Sequence, residues 1–353
     1  MVDSYLYKKN RMRKLCVFVS LCCSVILLVA CKSKQATNDI SSLTPVGPAF
    51  VADSAFAYCQ AQCDFGPRTM NSDAHEQCAQ WIIKKFEQFG CKVTTQQATL
   101  TGYDGTPLKS TNIIASYTPS NNNISPQGGT EGGLILLCAH WDSRPWADND
   151  PDSANWRKPV MAANDGASGV AVMLEIARQL QKADSLKVGV DFICFDAEDW
   201  GTPQWDTTTQ VNGDPWALGA QYWAQQFAQN SGGQSYRFGI LLDMVGGQGA
   251  RFYQEGVSRQ YALDIVKKVW TAAKVVGYGS MFPDEANGGI TDDHVPVNEV
   301  AKIPCIDIIP YYPDCQQSSF GPTWHTLNDD MQHIDKNTLQ AVGQTVIQVL
   351  FSE

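Results

Sequence analysis

Residues 194 to 201 read CFDAEDWG, and they close an apolar run, Val188 to Phe195, with two adjacent carboxylates, Glu198 and Asp199. A short apolar run reads as a buried strand, and the turn after such a strand is where open α/β sheets place their sites. Neighbouring side chains at a strand end point in different directions, so one carboxylate can hold a metal ion while the other faces a substrate. Taken alone the octapeptide also reads as an ordinary acidic turn, and the rest of the chain has to decide between the two.

On both sides of this stretch strands alternate with helices. Upstream, Leu134 to Cys138 is an apolar strand, and Gly166 to Gln181 is a helix with Val170, Met173, Leu174, Ala177 and Leu180 on one face. Downstream, Pro215 to Asn230 reads as a helix, Ile240 to Val245 as a strand, Arg259 to Val276 as a helix, Ile303 to Ile309 as a strand and Lys336 to Phe351 as a closing helix. Nearer the start, Ala55 to Cys63 and His75 to Phe89 are helical, Cys91 to Leu100 and Asn112 to Tyr117 are strands, and Pro119 to Gly133 is a Ser/Asn/Gly-rich surface loop. The pattern predicts an α/β fold, a single domain with a mainly parallel, mixed central sheet flanked by helices. Neither a repeat nor a break in composition divides the chain after Phe50, so one domain is expected over residues 49–353.

The first residues do not belong to that domain. Lys8, Lys9, Arg11, Arg13 and Lys14 precede an apolar stretch from Leu15 to Ala30 that ends in LVAC, the layout of a secretory signal over residues 1–30. It resembles a bacterial lipoprotein lipobox with Cys31 as the lipidated residue; the stretch is short for a membrane span, the alternative. A start at Met12 would give a more compact signal. Residues 31–48 are rich in Ser, Thr, Asn and Gln and read as a flexible tether. The expectation is an exported protein held to a bacterial membrane through lipid, at the periplasm or the cell surface.

The formal net charge of the chain is −10, and it becomes more negative once the basic leader is removed. An acidic surface argues against nucleic-acid binding and offers no attraction to anionic lipid head groups. Of 12 cysteines, Cys16, Cys22 and Cys23 fall in the leader and Cys31 is the lipidation candidate. The remaining even number, in an exported protein, invites disulfides, with Cys59–Cys63, Cys78–Cys91 and Cys305–Cys315 as candidate pairs.

Polar groups recur at or just past the ends of the apolar runs. His140 and Asp142 follow one strand in AHWDS, Asp165 precedes a helix in AANDGASG, and Glu198 and Asp199 follow the next strand. Asp243 lies within LLDMVG and His325 within TWHTLND. All of these can converge on one edge of the predicted sheet. Singly, Asp165 could cap its helix and either histidine could be structural, but a carboxylate inside an apolar strand is costly without a metal or partner. Mixed oxygen and imidazole donors suit zinc in an open catalytic site.

The order His-x-Asp, Asp-Gly-x-x-Gly, Glu-Asp, Asp, His resembles the clan of zinc aminopeptidases with two co-catalytic metals, from FGPR at 65–68 to WHT at 324–326. Within that clan the chain is more similar to the animal-type glutaminyl-peptide cyclotransferases in their bacterial lipoprotein form. AHWDSRPWAD, ITDDHVPV at 290–297 and Trp324 before His325 carry that finer likeness.

The resemblance implies a zinc-aminopeptidase-like, phosphorylase/hydrolase-like fold. It implies one zinc on Asp165, Asp199 and His325, with Glu198 as general acid/base beside an acidic network of Asp243 and Asp292. His140 and Asp142 are the positions that would serve a second metal in an aminopeptidase, which would hold two ions and cut a peptide bond. The family's second ligand is usually glutamate, and where it often has serine after the metal aspartate this chain has Gly166. Trp324, Trp205 and His294 are the substrate-binding candidates. The implied substrates are peptides or proteins with an N-terminal glutamine, and a monomer is expected. A non-catalytic binding lipoprotein on the same fold is a further alternative; it predicts eroded ligands, and none is eroded.

Overall fold

The computed structural model describes residues 43–119, 133–183 and 185–353. The signal segment, Cys31, residues 31–42 of the tether and most of the Pro119 to Gly133 loop lie outside the described residues. The strands β1 (Lys92–Thr101), β2 (Pro107–Tyr117), β3 (Leu134–His140), β4 (Gly189–Phe195), β5 (Tyr236–Leu242) and β6 (Cys305–Ile308) form one six-stranded sheet in the order β1-β2-β4-β3-β5-β6. β2 pairs antiparallel with β1 and β4, and all other pairings are parallel, so the sheet is mixed as expected.

β4 is buried at every residue. A strand covered on both faces has no solvent side, which is why its sequence is a continuous apolar run rather than an alternation. Successive residues still point to opposite faces. Ile135, Leu137, Phe192 and Ile240 pack into one core with α1 (Ala52–Cys63), α2 (Asp73–Gln88), α3 (Ala167–Leu180), α5 (Gly256–Val275) and α7 (Lys336–Phe351). Leu136, Cys138, Ile193 and Leu241 pack on the other side against α4 (Leu218–Asn230) and α6 (His294–Glu299).

Several boundaries depart from the sequence reading: β2 starts at Pro107 rather than Asn112, and β5 runs over Tyr236–Leu242 rather than from Ile240 to Val245, which puts Asp243 just past the strand instead of inside it. α4 starts at Leu218 rather than Pro215 because Ala217 is left-handed, with φ 53°. α5 starts three residues before Arg259 because Glu255 caps it, accepting from the amides of Val257 and Ser258. The six-residue α6 was not expected at all. Within the tether, chain anchoring begins at Val46, whose amide donates to Gln348 Oε1 at 2.8 Å.

The candidate disulfides are not formed: all eight described cysteines are free thiols. Cys59 instead donates to the Ala163 carbonyl at 3.0 Å, and Cys305 is buried within β6 while Cys315 is half-buried in a later loop.

Candidate active site

β4 delivers the acid pair through a strained turn. Ala197 is left-handed at φ 54°, a conformation that costs a non-glycine residue energy and persists only when its surroundings enforce it. Two buried carboxylates supply that enforcement. Asp196 takes hydrogen bonds from the amides of Thr111 (2.6 Å) and Ala197 (2.9 Å) and pairs with His75 Nε2 at 2.8 Å. Asp142 accepts from the amides of Glu198 (3.0 Å) and Asp199 (3.2 Å) through its two oxygens. Asp142 therefore holds the backbone of the acid pair and is absent from the ligand-type side-chain clusters described next.

Asp165, Asp199 and His325 bring one donor atom each within 4.8 Å of one another, and all three are buried. His325 Nε2 lies 3.3 Å from Asp199 Oδ1 and 3.6 Å from Asp165 Oδ2. The other Asp199 oxygen, Oδ2, is buried with no hydrogen-bond partner. Two carboxylates and an imidazole, with an orphaned buried oxygen among them, form a donor set that fits zinc. A second group, His140, Asp165 and Asp243, shares Asp165 with the first, and a third, Asp292, His294 and Asp307, shares no residue with either. In the second, His140 Nε2 is hydrogen-bonded to Asp165 at 3.0 Å and to Asp243 at 3.2 Å.

Asp165 is set by the turn before α3, where Asp329 accepts from the amides of Asn164 (2.7 Å) and Asp165 (3.0 Å). Gly166 follows at φ +107°, and a Cβ there would stand 2.4 Å from the Asp142 carbonyl oxygen. The family's frequent serine is thus sterically barred here. A Gly166→Ser variant is expected to lose both stability and activity, seen as a lowered Tm and reduced turnover, with a backbone cost of about 1–3 kcal/mol before the overlap is counted.

Around Glu198 the acids are dense. Burial, and then the charge of Asp199, push the Glu198 carboxyl well above the usual range, with Asp292 and Asp293 adding to the effect and His140 opposing it. Burial and the Asp292 charge raise Asp243 to about 7 against His140. Asp292 and Asp293 are raised mainly by burial. Asp307 in β6 is a member that sequence reasoning missed: it is fully buried, both its oxygens lack a donor, and burial and Asp292 hold its carboxyl well above the usual range. The overlooked signal was a charge inside the apolar run CIDI.

A cavity of about 520 Å³ opens over these groups, lined by Asp165, Glu198, Asp243, Asp292 and His325 and walled by aromatic and aliphatic side chains. Trp324 lines it and stacks on His325 at 3.7 Å. The other two substrate-binding candidates do not reach it. Trp205 is not among the lining residues; it packs on Trp156 at 6.3 Å and under Arg157 at 4.0 Å. Trp216, eleven residues later in the same loop, lines the cavity in its place, stacked on His325 at 6.0 Å. His294 is fully buried and bonded to Glu255 at 3.1 Å, on the α5 side of Asp292.

Comparison with known proteins accords with this geometry. The chain matches peptidase family M28 over residues 112–350. It is 28% identical over 263 residues to aminopeptidase YwaD of Bacillus subtilis (strain 168), covering 72% of this chain and 47% of that protein, so it spans about half the length of that curated relative. A solved structure of a Bacteroides thetaiotaomicron glutaminyl cyclase bound to N-acetylhistamine is 50% identical, with a TM-score of 0.80 over 87% of this chain and 100% of that one. A Tannerella forsythia glutaminyl cyclase structure is 47% identical, with a TM-score of 0.80 over 87% of this chain and 100% of that one. The matched region runs from β2 to α7 and takes in all three ligand-type clusters and the acid pair, and on that ground the chain belongs to peptidase family M28.

Proposed function

We propose that this chain is a zinc-dependent glutaminyl-peptide cyclotransferase, converting N-terminal glutamine of peptides or proteins to pyroglutamate with release of ammonia. The observation that carries the reading is the difference between the two ligand clusters that share Asp165. In the first, His325 Nε2 stands 3.3 Å from Asp199 Oδ1 and 3.6 Å from Asp165 Oδ2, and Asp199 Oδ2 is buried without a hydrogen-bond partner. In the second, His140 already bonds both carboxylates. That contrast supports one metal, on Asp165, Asp199 and His325, with His140 occupying the second position. The solved cyclases at 50% and 47% identity support the same reading.

When bound, zinc supplies Lewis-acid polarisation of the substrate's γ-carbonyl oxygen. The chain's own groups do the rest. Glu198, on the cavity wall, takes a proton from the attacking α-amine and returns one to the departing nitrogen. Its raised proton affinity suits an acid/base that must work in both directions near neutral pH. Asp243 and Asp292 flank it and share the proton load. Met244, Ile309 and Phe320 give the cavity apolar wall, which suits a reaction that consumes no water. Trp216 and Trp324 both stack on the His325 ring and line the same cavity, where they hold the small glutamine side chain.

Trp216→Ala is expected to lower kcat/KM by about 10- to 100-fold, the range of a lost pocket contact. Trp205→Ala should leave it nearly unchanged, and steady-state kinetics on a glutaminyl peptide reads both.

A second reading, a two-metal aminopeptidase, is favoured by the existence of the His140, Asp165, Asp243 cluster at ligand spacing. Zinc content per chain and the reaction product separate the two. Lipid attachment at Cys31 and an exported, monomeric protein complete the proposal, resting on residues 8 to 31 for the attachment. Membrane fractionation tests the anchor: a Cys31→Ser variant should leave the membrane fraction, and its retention there would remove the lipid from the account.

A further inference from the structure

Arg144 lies in the loop after β3 and is 1% exposed. Its Nε and Nη2 donate to the two oxygens of Asp148, each at 2.7 Å. Its Nη1 donates to the carbonyl of Asp199 at 3.0 Å and reaches Asp199 Oδ1 at 3.3 Å and the Gly201 carbonyl at 3.4 Å. Asp148 in turn stands 3.5 Å from His325 Nδ1 and accepts from the Gln204 amide at 2.9 Å. The guanidinium also lies over the Trp216 ring at 4.7 Å, and Trp216 stacks on His325.

One buried cation therefore touches Asp199 directly and reaches His325 by two routes, a carboxylate and an indole. Asp199 and His325 come from separate loops, one after β4 and one before α7, and no strand or helix fixes either. His325 itself is left-handed at φ 55°, so its position has to be enforced from outside. With Nδ1 facing Asp148, the Nε2 lone pair faces the carboxylates of Asp165 and Asp199. With Oδ1 held by Arg144, Asp199 Oδ2 is the oxygen left without a partner.

We infer that Arg144, acting with Asp148, is a positioning residue that orients two of the three metal-ligating side chains before the metal arrives. The inference rests on the ligand set proposed above. Groups that hold ligands in this way commonly change metal affinity by one to two orders of magnitude when removed. A planar fork is needed to bind Asp148 through two atoms while a third reaches Asp199, and an ammonium cannot reproduce that geometry.

The test is zinc affinity of the metal-free protein, measured by competition with a chromophoric chelator, with Tm and circular dichroism recorded for each variant. Asp148→Asn keeps size and shape, and it is expected to weaken zinc binding by about 10- to 100-fold while remaining folded. Arg144→Lys should fall in the same range, and Arg144→Met at or beyond its upper end if it folds. Folded Asp148→Asn and Arg144→Lys proteins that bind zinc within twofold of wild type would overturn the positioning role, even if their Tm had dropped. His325→Ala is the control for the underlying assignment. If it binds zinc like wild type, the ligand set itself is wrong; if it loses zinc while the Arg144 and Asp148 variants do not, only the positioning role fails.

Discussion

Glu198→Gln is expected to lower kcat by about 10²- to 10⁴-fold, the usual contribution of a positioned acid/base, while zinc content stays at the wild-type level. The substitution removes the proton acceptor and leaves the shape, and the Glu198 side chain belongs to none of the three ligand-type clusters. Its amide remains bound to Asp142, so the turn that carries Asp199 should survive. Stopped assays for ammonia, with zinc measured on the same samples, separate loss of chemistry from loss of metal. Near-normal turnover in Glu198→Gln would remove Glu198 from the mechanism.

The second large effect is metal removal. Dialysis against a strong chelator should abolish turnover, by more than about three orders of magnitude, since Lewis-acid polarisation contributes several kcal/mol and about 1.4 kcal/mol is tenfold in rate. Added zinc should restore it. Asp165→Ala should mimic the chelator and resist rescue, because Asp165 is shared by two of the three ligand-type clusters. Activity that persists in metal-free protein would contradict the assignment.

The fold was legible where burial is complete. β4 and α3 are buried almost throughout, so their apolar runs carried the whole signal, and the acid pair stood out at the end of β4. His140 and Asp243 were legible for a related reason, each being polar at the end of an apolar strand, while Asp165 and His325 stood out through the stretches NDG and WHT. Asp307 met the same criterion, a lone carboxylate inside the strand read over Ile303 to Ile309, and was passed over. Trp216 could not be told from Trp205, because the loop between β4 and α4 has no periodicity to set a register. The left-handed Ala217 that ends that loop gives no signal in sequence. His294 was placed by its neighbours in DDH, yet its burial depends on Glu255, far away in the chain. Arg144 was hidden for the same reason, since its contacts with Asp199 and Trp216 are made across loops.

The most direct test of the central claim is mass spectrometry of a peptide that begins with glutamine, incubated with the purified zinc-loaded protein. The prediction is loss of one ammonia at the N-terminus with every peptide bond intact, and no such loss with Glu198→Gln. Release of free glutamine and a peptide shorter by one residue would contradict it and make the chain an aminopeptidase.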